Sequence, residues 1–223
     1  MIALELHPRI IASKDWATII FVISLFLIVL AKTIFETRFN DYIRLLVSDK
    51  YTKIYKESSH LMSGFNVILF LVNVISLSFF IQLALANYED DIKLKTDWVL
   101  FVRVFTLLSV FILCKFLIEK ILAATFGIES LLEQFNLQKV TFRTYIGLLL
   151  LPVSIILFYG NYSSDSLFIT LIIILLIINL VTYLISLKNY QNFVFGKLFY
   201  FILYLCALEI APYYFIYYLI TKN

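Results

Sequence analysis

Glu209 is the residue with the clearest chemical potential, a carboxylate near the middle of the last apolar stretch of this 223-residue chain. It stands three residues before Pro212. A charged side chain at the centre of a bilayer costs roughly 2.5–3.5 kcal/mol on insertion scales. Pro212 has no backbone N–H, so the carbonyl of Leu208 loses its helical donor beside the carboxylate. An acid next to such a carbonyl at membrane depth is typical of the ion and proton sites of transporters.

A carboxylate at this depth needs a proton, a partner or water, and Arg103 is the best candidate partner. Arg103 lies five residues past Trp98, which is roughly 7–8 Å below the interface at about 1.5 Å per residue. Tyrosines after Pro212 predict an aromatic belt that places Glu209 roughly 12–14 Å deep on the same side. Asn73 is a further polar group that could join them. Two interpretations stay open: Glu209 fixes helix packing through Arg103 or an asparagine, or it acts on an ion, a proton or a ligand.

No catalytic constellation accompanies Glu209. The sequence has no Gly-x-Ser-x-Gly elbow, no phosphate-binding glycine loop and no acids paired one turn apart within an apolar stretch. His7 and His60 have no ligand-spaced Cys, Asp or Glu beside them. We therefore expect neither an enzyme nor a metal or organic cofactor. No basic block with interleaved aromatic residues indicates nucleic acid binding.

Six apolar stretches must position these residues. The chain is 62% hydrophobic and 15% charged, against about 45–50% and about 25% in a soluble domain. The excess is gathered into runs long enough to cross a hydrocarbon core about 30 Å thick. The sequence therefore predicts one integral domain over residues 1–223, an all-α polytopic bundle embedded in the lipid bilayer. The six predicted transmembrane spans are 16–35, 62–85, 98–118, 144–159, 167–187 and 198–218.

Two polar connections, after the first and third spans, have the helical period. In the first, Phe39, Tyr42 and Leu46 share one face, with charged residues between them. In the second, apolar residues from Ile128 to Phe135 share a face. Each pattern predicts an amphipathic cytoplasmic helix that lies on the membrane surface or packs on its neighbours. The alternative is a docking face for a cytoplasmic or membrane partner, with Phe39, Tyr42 and Leu46 as its candidate residues.

Lys and Arg residues near the span ends predict the orientation. Ten lie beside the odd-numbered connections, against five beside the termini and the even-numbered connections. Cytoplasmic loops carry the excess of Lys and Arg. We therefore expect the odd-numbered connections in the cytoplasm and both termini on the other side of the membrane.

One segment of the last span carries a resemblance to a known family. Its sequence is Tyr204-Leu-Cys-Ala-Leu-Glu209-Ile-Ala-Pro212, and Asp15-Trp16 precedes the first span. With its length and span count, the chain resembles a family of small multi-span membrane proteins of Bacteroidetes described only as a domain of unknown function. The resemblance covers nearly the whole chain. It implies the inner membrane of a Gram-negative cell, and hence periplasmic termini, but it implies no activity for any residue.

These observations favour a non-enzymatic scaffold or accessory subunit of a membrane assembly. The reasons are the missing catalytic groups and the two amphipathic segments that could dock partners. The alternative is a small proton- or ion-coupled transporter or channel that uses Glu209 and Arg103, often as a homo-oligomer. A third hypothesis, an intramembrane enzyme, requires two or more titratable residues that converge in one wet cavity.

Overall fold

A computed structural model of the protein describes residues 14–43, 63–88, 92–127, 129–160 and 165–189. Within these ranges every element is a helix. In chain order they are α1 (Asp15–Ile34), α2 (Glu36–Ile43), α3 (Gly64–Tyr88), α4 (Ile92–Thr96), α5 (Trp98–Phe126), α6 (Glu129–Tyr159) and α7 (Asp165–Asn189).

Four of these helices are long and apolar enough to cross a membrane: α1, α3, α5 and the part of α6 from Asn136 to Tyr159. Helix α7 contains a shorter apolar segment, Ser166–Thr182. The prediction of an all-helical fold is therefore confirmed for the described residues, with four helices of membrane-spanning length; the count of six spans stays a prediction. The sixth predicted span, 198–218, lies outside the described residues.

The boundaries of the third and fourth spans differ from the prediction. Helix α5 continues past residue 118 to Phe126 and ends at Gly127, whose φ of +61° is left-handed. Glycine adopts this conformation without a Cβ penalty, and its N–H reaches the carbonyl oxygens of Ala123 and Ala124. The next helix, α6, then runs for 31 residues without a break. The second amphipathic segment is therefore the first part of the same helix as the predicted span 144–159, and not a separate surface helix.

The spans begin in two different ways at one end of the bundle. Asp97 caps α5 by accepting a hydrogen bond from the backbone N–H of Val99 at 2.9 Å. Asp15, in the similar sequence before Trp16, is already the first residue of α1. An aspartate before a tryptophan therefore marks both starts, but only Asp97 is the helix cap.

Aromatic contacts at the two ends of the bundle define how the helices run. At one end, which we call the tryptophan end, Phe21, Phe79, Phe101 and Phe158 form one buried cluster against Trp16. At the other, the tyrosine end, a second buried cluster contains Phe39, Tyr42, Phe65 and Tyr145. Helices α3 and α6 therefore run parallel to each other, and α1 and α5 run the opposite way, as successive membrane crossings require.

Candidate functional site: a buried polar seam between two parallel helices

Helices α3 and α6 approach each other most closely at Gly147. A Cβ atom added to this glycine would collide with Asn73 Oδ1 and lie 2.8 Å from Asn73 Cα. Only a residue without a side chain fits there, and small residues are what permit such close approach in membranes. The sequence prepares this contact, because the buried positions of α6 recur at helical spacing through Thr144, Gly147, Leu151 and Ser154.

Three polar side chains are buried along this contact. Asn73 and Ser76 lie one turn apart on α3, and Ser154 lies on α6; their exposed fractions are 1%, 0% and 0%. On both helices the serine falls between the Asn73–Gly147 contact and the packing of Phe79 on Phe158, whose ring centroids are 5.7 Å apart. We call Asn73, Ser76, Gly147 and Ser154 the polar seam.

The polar atoms of the seam lack hydrogen-bond partners within the described residues. Four of the seven buried side-chain atoms in that condition lie here: Asn73 Nδ2 and Oδ1, Ser76 Oγ and Ser154 Oγ. Leaving a buried donor or acceptor unsatisfied costs about 1–3 kcal/mol. By contrast, the buried hydroxyl of Ser78 has a hydrogen-bond partner in its own helix, because its Oγ donates to the carbonyl of Val74 at 2.7 Å. The polar seam is therefore an unusual site. Buried polar atoms without partners are generally explained by a bound water, a bound ion or a functional role.

The seam lies deep in the bundle. Asn73 is nine residues before Gln82, and Gln82 Nε2 donates to the carbonyl of Asp97 at 2.8 Å at the tryptophan end. At about 1.5 Å per residue, Asn73 is roughly 13 Å below that end. At this depth no lipid headgroup can form a hydrogen bond with the polar seam. Partners for its polar atoms can therefore come only from the protein or from a small bound molecule or ion.

The tryptophan end closes the bundle above the seam with several hydrogen bonds. Gln82 Nε2 also donates to the carbonyl of Leu94 at 2.9 Å, and Trp16 Nε1 donates to the carbonyl of Thr96 at 3.2 Å. Lys95 Nζ donates to the carbonyl of Gly160 at 2.7 Å. The short helix α4 is thereby fixed to α1, to α3 and to the end of α6. Burial, and secondarily the nearby charge of Lys14, lowers the pKa of Lys95 from its usual value of 10.5.

Of the polar residues that the sequence grouped together, Asn73 and Arg103 lie in the described part of the chain. Asn73 is sealed in the polar seam, whereas Arg103 lies on the exposed face of α5 and makes no hydrogen bond to Asn73. Glu209 and Pro212 lie outside the described residues. Asn73 therefore lies in a site with Gly147, Ser154 and Ser76, and the predicted polar site around Glu209 stays a prediction.

Two of the three residues of the candidate docking face lie in the described part of the chain. Phe39 and Tyr42 are buried in the tyrosine-end cluster, where the Tyr42 ring packs on Phe65 and Tyr145 at centroid distances of 5.6 Å and 5.5 Å. The Tyr42 hydroxyl donates to Thr144 Oγ1 at 3.0 Å. These two side chains hold α2 on the bundle, which is the packing alternative, and they are not accessible to a partner. Leu46 lies outside the described residues.

Two features of the described residues were missed from the sequence. One is the pairing of Asn73 with Gly147. The only sequence signal for it was the position of Gly147, a small residue, within an apolar run. The other is an ion pair between Glu119 on α5 and Lys139 on α6, with Nζ and Oε1 3.6 Å apart. The sequence signal for this ion pair is the helical spacing of the charges: Lys115 precedes Glu119 by four residues, and Arg143 follows Lys139 by four. No group of three or more His, Cys, Asp or Glu that could hold a metal occurs in the part of the chain that the structure describes.

Four apolar helices of membrane-spanning length indicate a multi-span helical membrane protein. Residues 17–220 match the model of a family described as a domain of unknown function, DUF4271. Because this match covers most of the chain, the protein belongs to that family, and the predicted membership of an uncharacterised domain family is confirmed. Comparisons with curated proteins and with solved structures gave no significant match.

Proposed function

We propose that this protein is a non-enzymatic scaffold or accessory subunit of an assembly in the inner membrane, with both termini in the periplasm. The location is supported by the Lys and Arg distribution and by the family resemblance. The subunit role is supported by one structural observation, the exposed face of α5.

Helix α5 presents a stripe of residues that repeats at alternating spacings of three and four. The stripe consists of Arg103, Leu107, Val110, Cys114, Leu117 and Ile121, and every one of them is exposed. This spacing is the one that lets helices interdigitate along a seam. We call these six residues the α5 stripe.

Arg103 suggests that the α5 stripe meets protein as well as lipid. It lies roughly 7–8 Å below the level of Trp98, where a guanidinium must reach the interface or find an acidic partner. A partner helix with a carboxylate at this depth would satisfy the charge and cover the apolar residues below it. A membrane-spanning helix of a second protein is the proposed partner that covers the α5 stripe. The alternative is that residues 198–218 of this chain, which contain Glu209, cover it.

Site-specific photocross-linking from the α5 stripe tests the proposal. A photoreactive amino acid at Leu107, which is 70% exposed, is compared with one at Val22 on α1, which is 59% exposed. We expect one intermolecular adduct, of the same mass, from Leu107 and from Leu117, and none from Val22. Adducts that form only within the chain, to residues 198–218, would contradict the subunit role.

A second function is favoured by the polar seam. A proton- or ion-coupled transporter or channel, with Glu209 as its titrating group and Arg103 nearby, would use polar groups at membrane depth. Asn73, Ser76 and Ser154 are such groups, and they have no partner within the described residues. Buried, unsatisfied polar groups are costly and are commonly kept for function.

Proton flux in proteoliposomes tests this second function without knowledge of a substrate. A pH-sensitive dye inside the vesicles reports flux under an imposed potassium gradient. Glu209→Gln is expected to abolish the flux while leaving expression and helicity unchanged. Full flux in this variant would reject a role for Glu209 in proton transfer, and no flux in the native protein would reject a proton channel.

A further inference from the structure

The unsatisfied atoms of the polar seam need both hydrogen-bond donors and acceptors. Asn73 Oδ1 accepts, Asn73 Nδ2 donates, and the hydroxyls of Ser76 and Ser154 can do either. An asparagine that bonds to its own helix satisfies only its donor, as Asn179 does when its Nδ2 donates to the carbonyl of Leu175 at 2.9 Å. Backbone N–H groups inside a helix are already used by the helix, so Asn73 Oδ1 needs a donor from outside the helix backbone.

The chemistry of the polar seam suits water better than a cation. A water molecule both donates and accepts hydrogen bonds, and a buried water typically makes about three of them to otherwise unsatisfied groups. A cation would leave Asn73 Nδ2 without an acceptor. The seam residues are all uncharged, so none of them would offset the cost of a charge roughly 13 Å below the tryptophan end.

The polar seam has to open before water can enter it. None of its four unsatisfied atoms has room beside it for a water molecule in this arrangement. Two features of α6 favour a local opening. Gly147 has no side chain that could interlock with α3, and Pro152, inside α6, has no N–H for the carbonyl of Leu148. Helix α6 is therefore weakened between Gly147 and Ser154.

We propose that the polar seam is a hydration site. Helices α3 and α6 part transiently at this level, and the water that enters forms hydrogen bonds with the side chains of Asn73, Ser76 and Ser154. Relief of the unsatisfied groups drives the opening, and the close packing at Gly147 drives the closing. The proposal goes beyond both functions described above, because it requires neither a partner on the α5 stripe nor a role for Glu209.

Exchange of a thiol proton with D₂O tests the proposal in the whole chain, purified in detergent micelles. Ser76→Cys is compared with Ser78→Cys after the native thiols are removed by Cys114→Ala and Cys206→Ala. Both serines are 0% exposed on α3, but Ser78 already donates to the carbonyl of Val74. Infrared spectroscopy follows the S–H band as it becomes an S–D band, so no bulky reagent has to fit inside the bundle.

The thiol of Ser76→Cys is expected to exchange faster than that of Ser78→Cys. Relief of one unsatisfied buried group corresponds to roughly 5- to 150-fold in the opening equilibrium, so we expect a ratio of at least about five. Similar rates, or faster exchange in Ser78→Cys, would overturn the proposal, because they would show a dry seam or a general opening of the bundle.

A second pair of variants keeps the test decisive if Ser76→Cys does not fold. Ser154→Cys is then compared with Ser24→Cys, since Ser24 is also 0% exposed and its Oγ donates to the carbonyl of Ile20 at 2.8 Å. Faster exchange in Ser154→Cys is expected, and similar rates would overturn the proposal. The readout is separate from proton flux: the expected exchange in a protein without flux would support hydration and reject the proton channel, whereas flux without it would overturn hydration alone.

Discussion

Replacing Gly147 with alanine should destabilise the bundle at the polar seam. The new Cβ would collide with Asn73 Oδ1 and lie 2.8 Å from both Asn73 Cα and Cβ. Rotation of the Asn73 side chain relieves the first contact, but the contact with Cα requires one helix to move away from the other. Overpacking of this kind costs about 1–3 kcal/mol. We therefore expect Gly147→Ala to lower the free energy of unfolding by that amount.

The measurement is denaturant or thermal unfolding in detergent micelles, followed by tryptophan fluorescence. The chain has two tryptophans, and Trp16 and Trp98 contact each other with ring centroids 6.2 Å apart. The signal therefore reports loss of the tryptophan end. The matched control is Gly64→Ala, whose added Cβ would meet Phe35 Cζ at an ordinary 3.5 Å. Its effect is expected within about 1 kcal/mol of zero, with stabilisation the commoner direction.

A second-site change distinguishes a steric cause from a general helix effect. In the Gly147→Ala background, Asn73→Ala removes the amide oxygen that makes the shortest contact while leaving Cα in place. We expect partial recovery of stability, because the backbone contact remains. A Gly147→Ala protein as stable as the Gly64→Ala control would refute the close approach of α3 and α6 described above.

Three further predictions follow from individual side chains. Ser76→Ala is expected to stabilise the protein by about 1 kcal/mol because it removes an unsatisfied hydroxyl. Ser78→Ala, which removes a hydrogen-bonded hydroxyl, should not stabilise it. Equal free energies of unfolding for the two variants would contradict this prediction. Tyr42→Phe is expected to lose about 0.5–1.5 kcal/mol with its hydrogen bond to α6, while Tyr88→Phe, at an exposed position, should show no change in the same assay. Because folding lowers the pKa of Lys95 below 10.5, the unfolded state binds more protons between the folded pKa and 10.5. The unfolding free energy should rise with pH across that window, and Lys95→Met should reduce this slope; an unchanged slope would exclude Lys95 as its source.

The sequence predicts the helices well and their contacts poorly. Apolar runs of membrane length identify α1, α3 and α5. In lipid, the backbone N–H and C=O groups of each run must be hydrogen bonded within the run, and a helix achieves this. The pairing of Asn73 with Gly147 depends on which helix lies beside α3 and on how closely it approaches. That choice is made by packing across many residues, and no local spacing encodes it.

The amphipathic connections show the same limit. The spacing of Phe39 and Tyr42 correctly indicates a helix, α2, with one apolar face. It does not reveal what the face covers, and the structure shows that Phe65 and Tyr145 do so. Similarly, Glu119 and Lys139 stand near span ends where the sequence indicates ordinary interfacial charges. Their pairing arises because α5 extends eight residues past the predicted end of its span and meets the unbroken helix α6.

The most direct test of the proposed subunit role is the composition of the protein purified in mild detergent from its native membrane. Native mass spectrometry is expected to find a second protein in fixed stoichiometry. That protein should be lost when Leu107 and Leu117 of the α5 stripe are both changed to alanine, and retained when Val22 and Phe26 of α1 are changed in the same way. A lone, monodisperse protein under several mild conditions would contradict the proposed scaffold or accessory function.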